Sequence, residues 1–214
     1  MVALHFAVGP LACNCTILGD ETSGEAIVID GGDEVEKIAG ELAARGLRPR
    51  YLVHTHAHFD HIGVLGELRA RVGGLGLLHP QDAPLYARLA EQGRWVGLPE
   101  VMKLEPATID GDLEDGLTLQ AGAISLTCVH TPGHTPGSTS FAVEVDGQTR
   151  LLTGDTLFRG SVGRWDLGGT SLADIVRSIR TKLFVYPDES VVVPGHGPST
   201  TIGIERRANP YLLE

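Results

Sequence analysis

Several features that would settle a protein's class at once are missing from this chain of 214 residues. It has only three cysteines, Cys13, Cys15 and Cys128, too few for the disulfide framework of a small secreted domain. No run of Lys or Arg occurs, and 27 acidic residues outnumber 17 basic ones for a formal charge of -10. That balance argues against a nucleic-acid or anionic-membrane partner. No apolar stretch approaches the roughly 20 residues a membrane helix needs. The opening residues Met-Val-Ala-Leu-His-Phe lack the basic and apolar regions of a signal peptide, so the expectation is a soluble, cytoplasmic protein. Linkers and low-complexity segments are absent as well. Residues 1–214 therefore read as one domain, whose 42% hydrophobic content is ample for a core.

What the chain does have is histidine in one place. Residues 54 to 61 read His-Thr-His-Ala-His-Phe-Asp-His, and within them His56, His58, Asp60 and His61 form an H-x-H-x-D-H pattern. Neutral imidazole and carboxylate are the donors that zinc, iron and manganese accept, so this density points to a metal. The apolar run Arg50-Tyr51-Leu52-Val53 predicts a buried strand that ends where the histidines begin. The residues after it turn toward a helix suggested by Ile62-Gly63-Val64-Leu65. A strand-to-helix loop of this kind can aim His56 and His58 at one point and Asp60 and His61 at a second.

Along the chain, strand-like segments come first, at Leu4–Val8, Cys13–Gly19 and Ala26–Asp30. Helix over Glu34–Arg45, strand over Tyr51–His54 and helix over Ile62–Arg71 follow. Leu75–His79 reads as strand and Pro84–Glu91 as helix. Gly93–Gly111, with Trp95, Pro99 and Pro106, reads as an irregular loop suited to the border of a site. The second half repeats the order, with strands at Gly116–Leu119, Ile124–His130, Ser138–Val145 and Gln148–Thr153. A helix over Ser171–Leu183 and a last strand over Ser190–Val193 complete it. Strands then helices, twice, predict an α/β protein in which two sheets are flanked by helices, in αβ/βα layer order.

Three more polar positions fall where strands end: His134 in His130-Thr-Pro-Gly-His-Thr-Pro-Gly-Ser138, Asp155 after Gly154, and His196 in Pro194-Gly-His-Gly197. Glycine and proline bracket each one, which allows a tight turn that presents the side chain. Ligand sites of α/β proteins collect at such strand ends. Taken singly, each is as well explained by packing; the set is not. His54 and His130 read as core or orienting groups, and His5 and His79 as structural. Cys13 and Cys15 share a face of one strand and read, with Cys128, as ordinary buried thiols. Gly31-Gly32-Asp33 reads as a turn and helix cap. Arg164, in a Gly-rich loop after Asp155, can pair either with a substrate carboxylate or with Asp166.

In order, His56, His58, Asp60, His61, His134, Asp155 and His196 match the metal-ligand motifs of the metallo-β-lactamase-fold superfamily, and the chain resembles it over nearly its whole length. Within that superfamily, Thr131–Ser138, Gly154-Asp-Thr-Leu-Phe158 and Gly160-Ser-Val-Gly-Arg-Trp-Asp166 are similar to the glyoxalase II branch. The resemblance implies the four-layer metallo-β-lactamase fold and a centre of two divalent metal ions: zinc, with iron or manganese as alternatives. His56, His58 and His134 would bind the first; Asp60, His61 and His196 the second; Asp155 would bridge them. Asp60 has an alternative role as an orienting group. Asp60, Asp155 and Arg164 are the residues expected to take part in catalysis.

The resemblance further implies a hydrolase that cleaves a thioester, such as S-D-lactoylglutathione or a related hydroxyacyl thioester, through a hydroxide bridging the metals. The expected partner is thus a small, possibly glutathione-linked, molecule. The C-terminal helical domain that full-length glyoxalase II enzymes use for glutathione has no counterpart here, since Ile204–Pro210 reads only as a short closing helix. The alternatives are a persulfide dioxygenase with one Fe(II) on His56, His134 and Asp155, and a metal-dependent lactonase. A β-lactamase fits less well, because those enzymes commonly place another residue where Asp155 stands.

Overall fold

The computed structural model describes residues 1–166 and 169–213. Two six-stranded sheets face one another. The first runs in the order β1 (Val2–Val8), β2 (Cys13–Asp20), β3 (Glu25–Ile29), β4 (Arg48–Val53), β5 (Leu75–Leu78) and β6 (Gly111–Asp112). The second contains β7 (Thr118–Ala121), β8 (Ile124–His130), β9 (Thr139–Val145), β10 (Gln148–Gly154), β13 (Val191–Pro194) and β14 (Thr200–Thr201), in the order β14-β13-β10-β9-β8-β7. A small hairpin of β11 (Leu157–Phe158) and β12 (Ser161–Val162) stands apart.

Three apolar clusters show that the layers are helix, sheet, sheet, helix. Leu18, Ile27, Ile29 and Val53 of the first sheet meet Leu126, Phe141, Val143 and Leu152 of the second between the sheets. On the outer face of the first sheet, Cys15, Ile17 and Val28 pack on Ile38 and Leu42 of α1 (Val35–Ala43) and on Leu65 and Leu68 of α3 (Leu65–Val72). On the outer face of the second, Leu151 and Val192 pack on Ile175 of α6 (Leu172–Ser178) and Ile202 of α7 (Ile202–Ala208). The alternation of β2, with Cys15 and Ile17 on one side and Leu18 on the other, is the period-two pattern of a strand buried on both faces.

The predicted elements are nearly all present, with instructive differences. The helix expected over 62–71 is broken into α2 (Phe59–Ile62) and α3, with Asp60 and His61 inside α2. The helix expected over 84–91 is a 3₁₀ turn (Pro80–Asp82), then α4 (Ala83–Tyr86) and α5 (Leu89–Val96). Accordingly the expected loop from Gly93 is helical at its start, and it holds a further 3₁₀ turn at Val101–Lys103. The helix over 171–183 changes after Ser178 to a π-wound segment, Ile179–Leu183. Among the described residues no helix is long and apolar enough to cross a membrane.

Direction of the strands is what gathers the site. β3 and β4 are parallel, as are β10 and β13, and β8 runs with β10 because each is antiparallel to β9. The C-terminal ends of β4, β8, β10 and β13 release residues 54–61, 131–138, 155 and 196 on one edge of the sandwich. Thr139 N donates to Thr55 O at 2.8 Å and ties the two sheets together there. Phe141 is fully buried between the sheets; Phe141→Ala is expected to cost about 3–5 kcal/mol, read as a shift in the denaturant midpoint at unchanged slope.

Candidate metal centre

The seven expected residues converge. His56, His58 and His134 form one group and His56, His61 and Asp155 another, with donor atoms within 4.8 Å of each other in each group. His58 Nδ1 and His134 Nε2 are 2.9 Å apart, and His61 Nε2 and His196 Nε2 are 3.3 Å apart. Asp60 Oδ2 lies 3.1 Å from His196 Nε2 and 3.6 Å from His61 Nε2. Asp155 stands between the groups. Its Oδ1 is 3.5 Å from His61 Nε2 and 3.7 Å from His196 Nε2, and its Oδ2 is 3.6 Å from His134 Nε2.

Four of the five imidazoles are anchored from behind. His134 Nδ1 donates to the carbonyl of Arg164 at 2.8 Å, and His196 Nδ1 to that of Leu11 at 2.9 Å. His61 Nδ1 is 3.0 Å from Asp30 Oδ2, and His56 Nδ1 is 3.0 Å from Thr55 Oγ1. A carbonyl or carboxylate acceptor fixes the proton on Nδ1, so Nε2 of the neutral ring turns a lone pair inward. With that tautomer the inner nitrogens of His61 and His196 face each other and carboxylate oxygens, an arrangement that draws in positive charge, as a proton or a metal ion.

Such an arrangement is repulsive without positive charge at its centre. Two atoms make the deficit plain: His56 Nε2 and Asp155 Oδ1 are buried and have no hydrogen-bond partner. Buried polar atoms are almost always partnered. Burial, reinforced by neighbouring imidazoles, pushes the protonated form of His56 well below its usual range and that of His58 to about 3, which keeps both rings available as donors. His61 goes the other way. Burial disfavours its charge, yet the carboxylates of Asp60, Asp30 and Asp155 hold it well above its usual range. The field of the cluster attracts cations, and its donor set fits divalent metals that take nitrogen and oxygen.

Several residues missed by sequence reasoning complete the centre. Asp30, at φ 54°, accepts from Thr55 N and Thr55 Oγ1, each at 2.8 Å, while facing His61. A buried Asp in the left-handed region is a strained position that these contacts hold. Gln92 of α5 accepts from Phe59 N and donates to Ala57 O, each at 2.9 Å, gripping the histidine loop on both sides. Asp82 bonds the same loop and the His134 loop. Nothing local in the sequence marks any of them as polar groups of a site.

Other expectations resolve individually. Arg164 makes a two-pronged pair with Asp166 at 3.0 and 3.1 Å, the structural alternative, and serves His134 with its backbone. His54 is buried and its Nδ1 bonds the carbonyl of His61. His79 and His130 stack at 4.0 Å, and His5 bonds Thr16. Cys13 is buried as expected, and closer to the centre than expected: its Sγ is 3.6 Å from His61 Nδ1, and burial holds its thiol up at about 12. Asp33 is no helix cap, because α1 begins after Glu34 with no side-chain cap. The important residue there is Gly32, where a Cβ would lie 2.0 Å from the carbonyl oxygen of Asp60.

The fold and the cluster define a class, metal-binding sandwiches with the site at one sheet edge, and comparison with known proteins identifies the family. Residues 8–196 match the metallo-beta-lactamase superfamily, and the chain belongs to it. It is 35% identical to the probable metallo-hydrolase YqgX of Bacillus subtilis, covering 96% of this chain and 94% of that one. It is 34% identical to hydroxyacylglutathione hydrolase GloC of Haemophilus influenzae, over 93% and 92%. Among solved structures, BLEG-1 B3 metallo-beta-lactamase superposes with a TM-score of 0.88 at 32% identity, each chain fully covered. TTHA1623 in a di-iron-bound form gives 0.83 at 37% over 98% of this chain and all of that one. ETHE1 from Myxococcus xanthus gives 0.80 at 26%, over 98% and 84%.

Gly32 and Gly40 make a matched test of this packing. Gly32→Ala drives a methyl into the Asp60 backbone and is expected to destabilise by at least about 1–3 kcal/mol. Gly40→Ala, in open space on the exposed face of α1, is expected to stabilise by about 0.5–1 kcal/mol. Thermal unfolding of the two variants checks both signs.

Proposed function

We propose that this protein is a metal-dependent hydrolase that cleaves a thioester, a hydroxyacyl conjugate of a small thiol such as glutathione being the leading substrate. The observation that carries this reading is the placement of Asp155, with one oxygen toward His61 and His196 and the other toward His134. His56, His58 and His134 would hold one divalent cation, Asp60, His61 and His196 a second, and Asp155 both. A centre so filled supplies an acidified water as nucleophile and a Lewis acid for the acyl oxygen. Water adds to the acyl carbon, the carbon–sulfur bond breaks, and a carboxylate and a thiol leave.

The chain's own residues select and hold the substrate. A cavity of about 360 Å³ opens beside His58 and His134 and is walled by Pro84, Leu85, Pro136 and Trp95, with Arg88 as its cation. It adjoins a second, of about 390 Å³, through Gln81 and Pro136, which line both. Asp174, Arg177 and Lys182 give the second cavity charges of both signs. A compact acyl group beside the imidazoles and a polar thiol tail beyond fits this pair. Similarity to GloC supports the same reading.

A second reading has its own support, since the structure superposing at 0.88 is that of a B3 metallo-beta-lactamase. The same acidified water would open a β-lactam ring, and equally a lactone. The di-iron form of TTHA1623 makes iron a metal to load, and oxygen chemistry on His56, His134 and Asp155 the third alternative.

The deciding experiment loads the protein with zinc, iron or manganese. It then measures thiol release from S-D-lactoylglutathione, nitrocefin hydrolysis, and oxygen uptake with glutathione persulfide. Thiol release at two metals per chain is the expected result. Oxygen consumption at one iron, or nitrocefin turnover with no thiol release, would replace it. Asp155→Asn is expected to lower kcat/KM for the thioester by about 10²–10³ or more, and chelation should abolish turnover until metal is restored.

A further inference from the structure

Asp82 ends the 3₁₀ turn before α4, is fully buried, and belongs to neither donor group of the candidate centre. A carboxylate enclosed to that degree is costly unless its oxygens are saturated. They are. Oδ2 accepts from Ala57 N at 2.9 Å and Thr135 Oγ1 at 2.8 Å, and Oδ1 accepts from Gly137 N at 2.6 Å. Ala57 lies between His56 and His58, and Thr135 and Gly137 follow His134 on its loop. One side chain thus joins the two loops that carry three imidazoles, whose centroids are 4.6–4.8 Å apart.

The other half of the centre is held by a different acid. His61 Nδ1 is 3.0 Å from Asp30 Oδ2, and the Asp30 carboxylate also accepts from Thr55 N and Thr55 Oγ1. The halves also differ in charge. The first half brings only the imidazoles of His56, His58 and His134, whereas the second half contains Asp60. A buried negative charge one bond beyond the first loop therefore matters most on the side with no carboxylate of its own.

We infer that Asp82 is the positioning residue of the His56–His58–His134 half, setting its affinity for a divalent cation through the shape of two loops and a buried negative charge. The second half depends on Asp30 instead. This inference rests on the two-cation reading above. Loss of such outer partners commonly costs about 10–100-fold in metal affinity.

Asp82→Asn is a sharp probe, because both oxygens face a backbone N–H. Whichever way the amide is turned, its NH₂ meets a donor that cannot reorient. Cobalt(II) titration of the metal-free protein, followed by visible absorption and calorimetry, reads affinity without any activity assay. In a His196→Ala background the remaining equivalent reports the first half, and Asp82→Asn should weaken it about 10–100-fold. In a His58→Ala background the remaining equivalent reports the second half, and the same change should move it less than about threefold, while Asp30→Asn weakens it.

Equal weakening in both backgrounds, or none in either, overturns the inference. Should Asp82→Asn fail to fold by circular dichroism, Thr135→Val removes one donor to the same carboxylate. It should weaken the first half alone by about threefold to tenfold, the worth of one hydrogen bond; an unselective change or none is again fatal. Failure of the underlying reading looks different: the unsubstituted protein would then take up no second equivalent of cobalt.

Discussion

Four imidazoles in this protein are clamped on their outer nitrogens and left open on their inner ones. Arg164 O, Leu11 O and Asp30 hold the protons of His134, His196 and His61 on the far side of each ring, and Thr55 steadies His56. The inner nitrogens and the oxygens of Asp60 and Asp155 are then compelled to face one another. Such poles at 3–4 Å in a buried setting repel strongly unless a proton or metal cation lies among them, and the fold must hold them in place for that cation. Every anchor comes from a different segment, so the opposition persists only while both sheets stay in register.

The same constraint explains why backbone, rather than side chains, fills the space around the centre. Gly195 sits where a Cβ would be 2.2 Å from Asp155 Oδ1, and Gly163 where one would be 1.7 Å from the carbonyl oxygen of Asp155. Gly195 N in turn donates to Gly154 O at 2.8 Å, and Gly195 O accepts from Asn14 N at 2.7 Å. The main chain approaches the ligand-bearing turns so closely that any side chain would move them. Gly32 does the same beneath Asp60. Rigidity of the donor set therefore comes largely from main-chain contacts, with Gln92, Asp82 and Asp30 among the side chains that grip the histidine loops.

How legible this was depends on what carried each part. The candidate donors stood out because seven side chains of metal-ligand type at strand ends are improbable together, and the structure brings all seven into one cluster. The layer order followed from strand and helix patterns and is present in the three apolar clusters. The boundaries failed where local pattern and tertiary contact disagree. Residues 80–103 hold Pro80, Pro84 and Pro99, which favour breaks, yet Gln92 bonds the histidine loop and Leu89 and Val101 join the first core, so the segment winds into short helices. Asp82, Asp30 and Gln92 carry no motif at all. Their function exists only in contacts 25 to 55 residues away along the chain, and spacing within a sequence cannot express that.

Substrate choice lies in a different part of the molecule from reactivity. On the proposed reading, the donors, their anchors and the glycines about them would provide a place for cations and an activated water, and nothing in them would distinguish one acyl compound from another. The walls do. Leu85, Arg88 and Trp95 come from α4, α5 and their junction, and Arg177 and Lys182 from α6 and the π-wound turn that follows it. Arg88 lies 5.3 Å from the ring of the half-exposed Trp95 and pairs with the exposed Glu91. Such exposed ion pairs are worth only about 0–1 kcal/mol, so a ligand carboxylate can replace Glu91 at little cost. Asp82 and Gln92 sit in the segment that builds the first wall, and they reach back to the histidine loops. A change of that segment would thus alter this cavity and the histidine loops together, and on the proposed reading specificity would be coupled to the centre through two buried side chains.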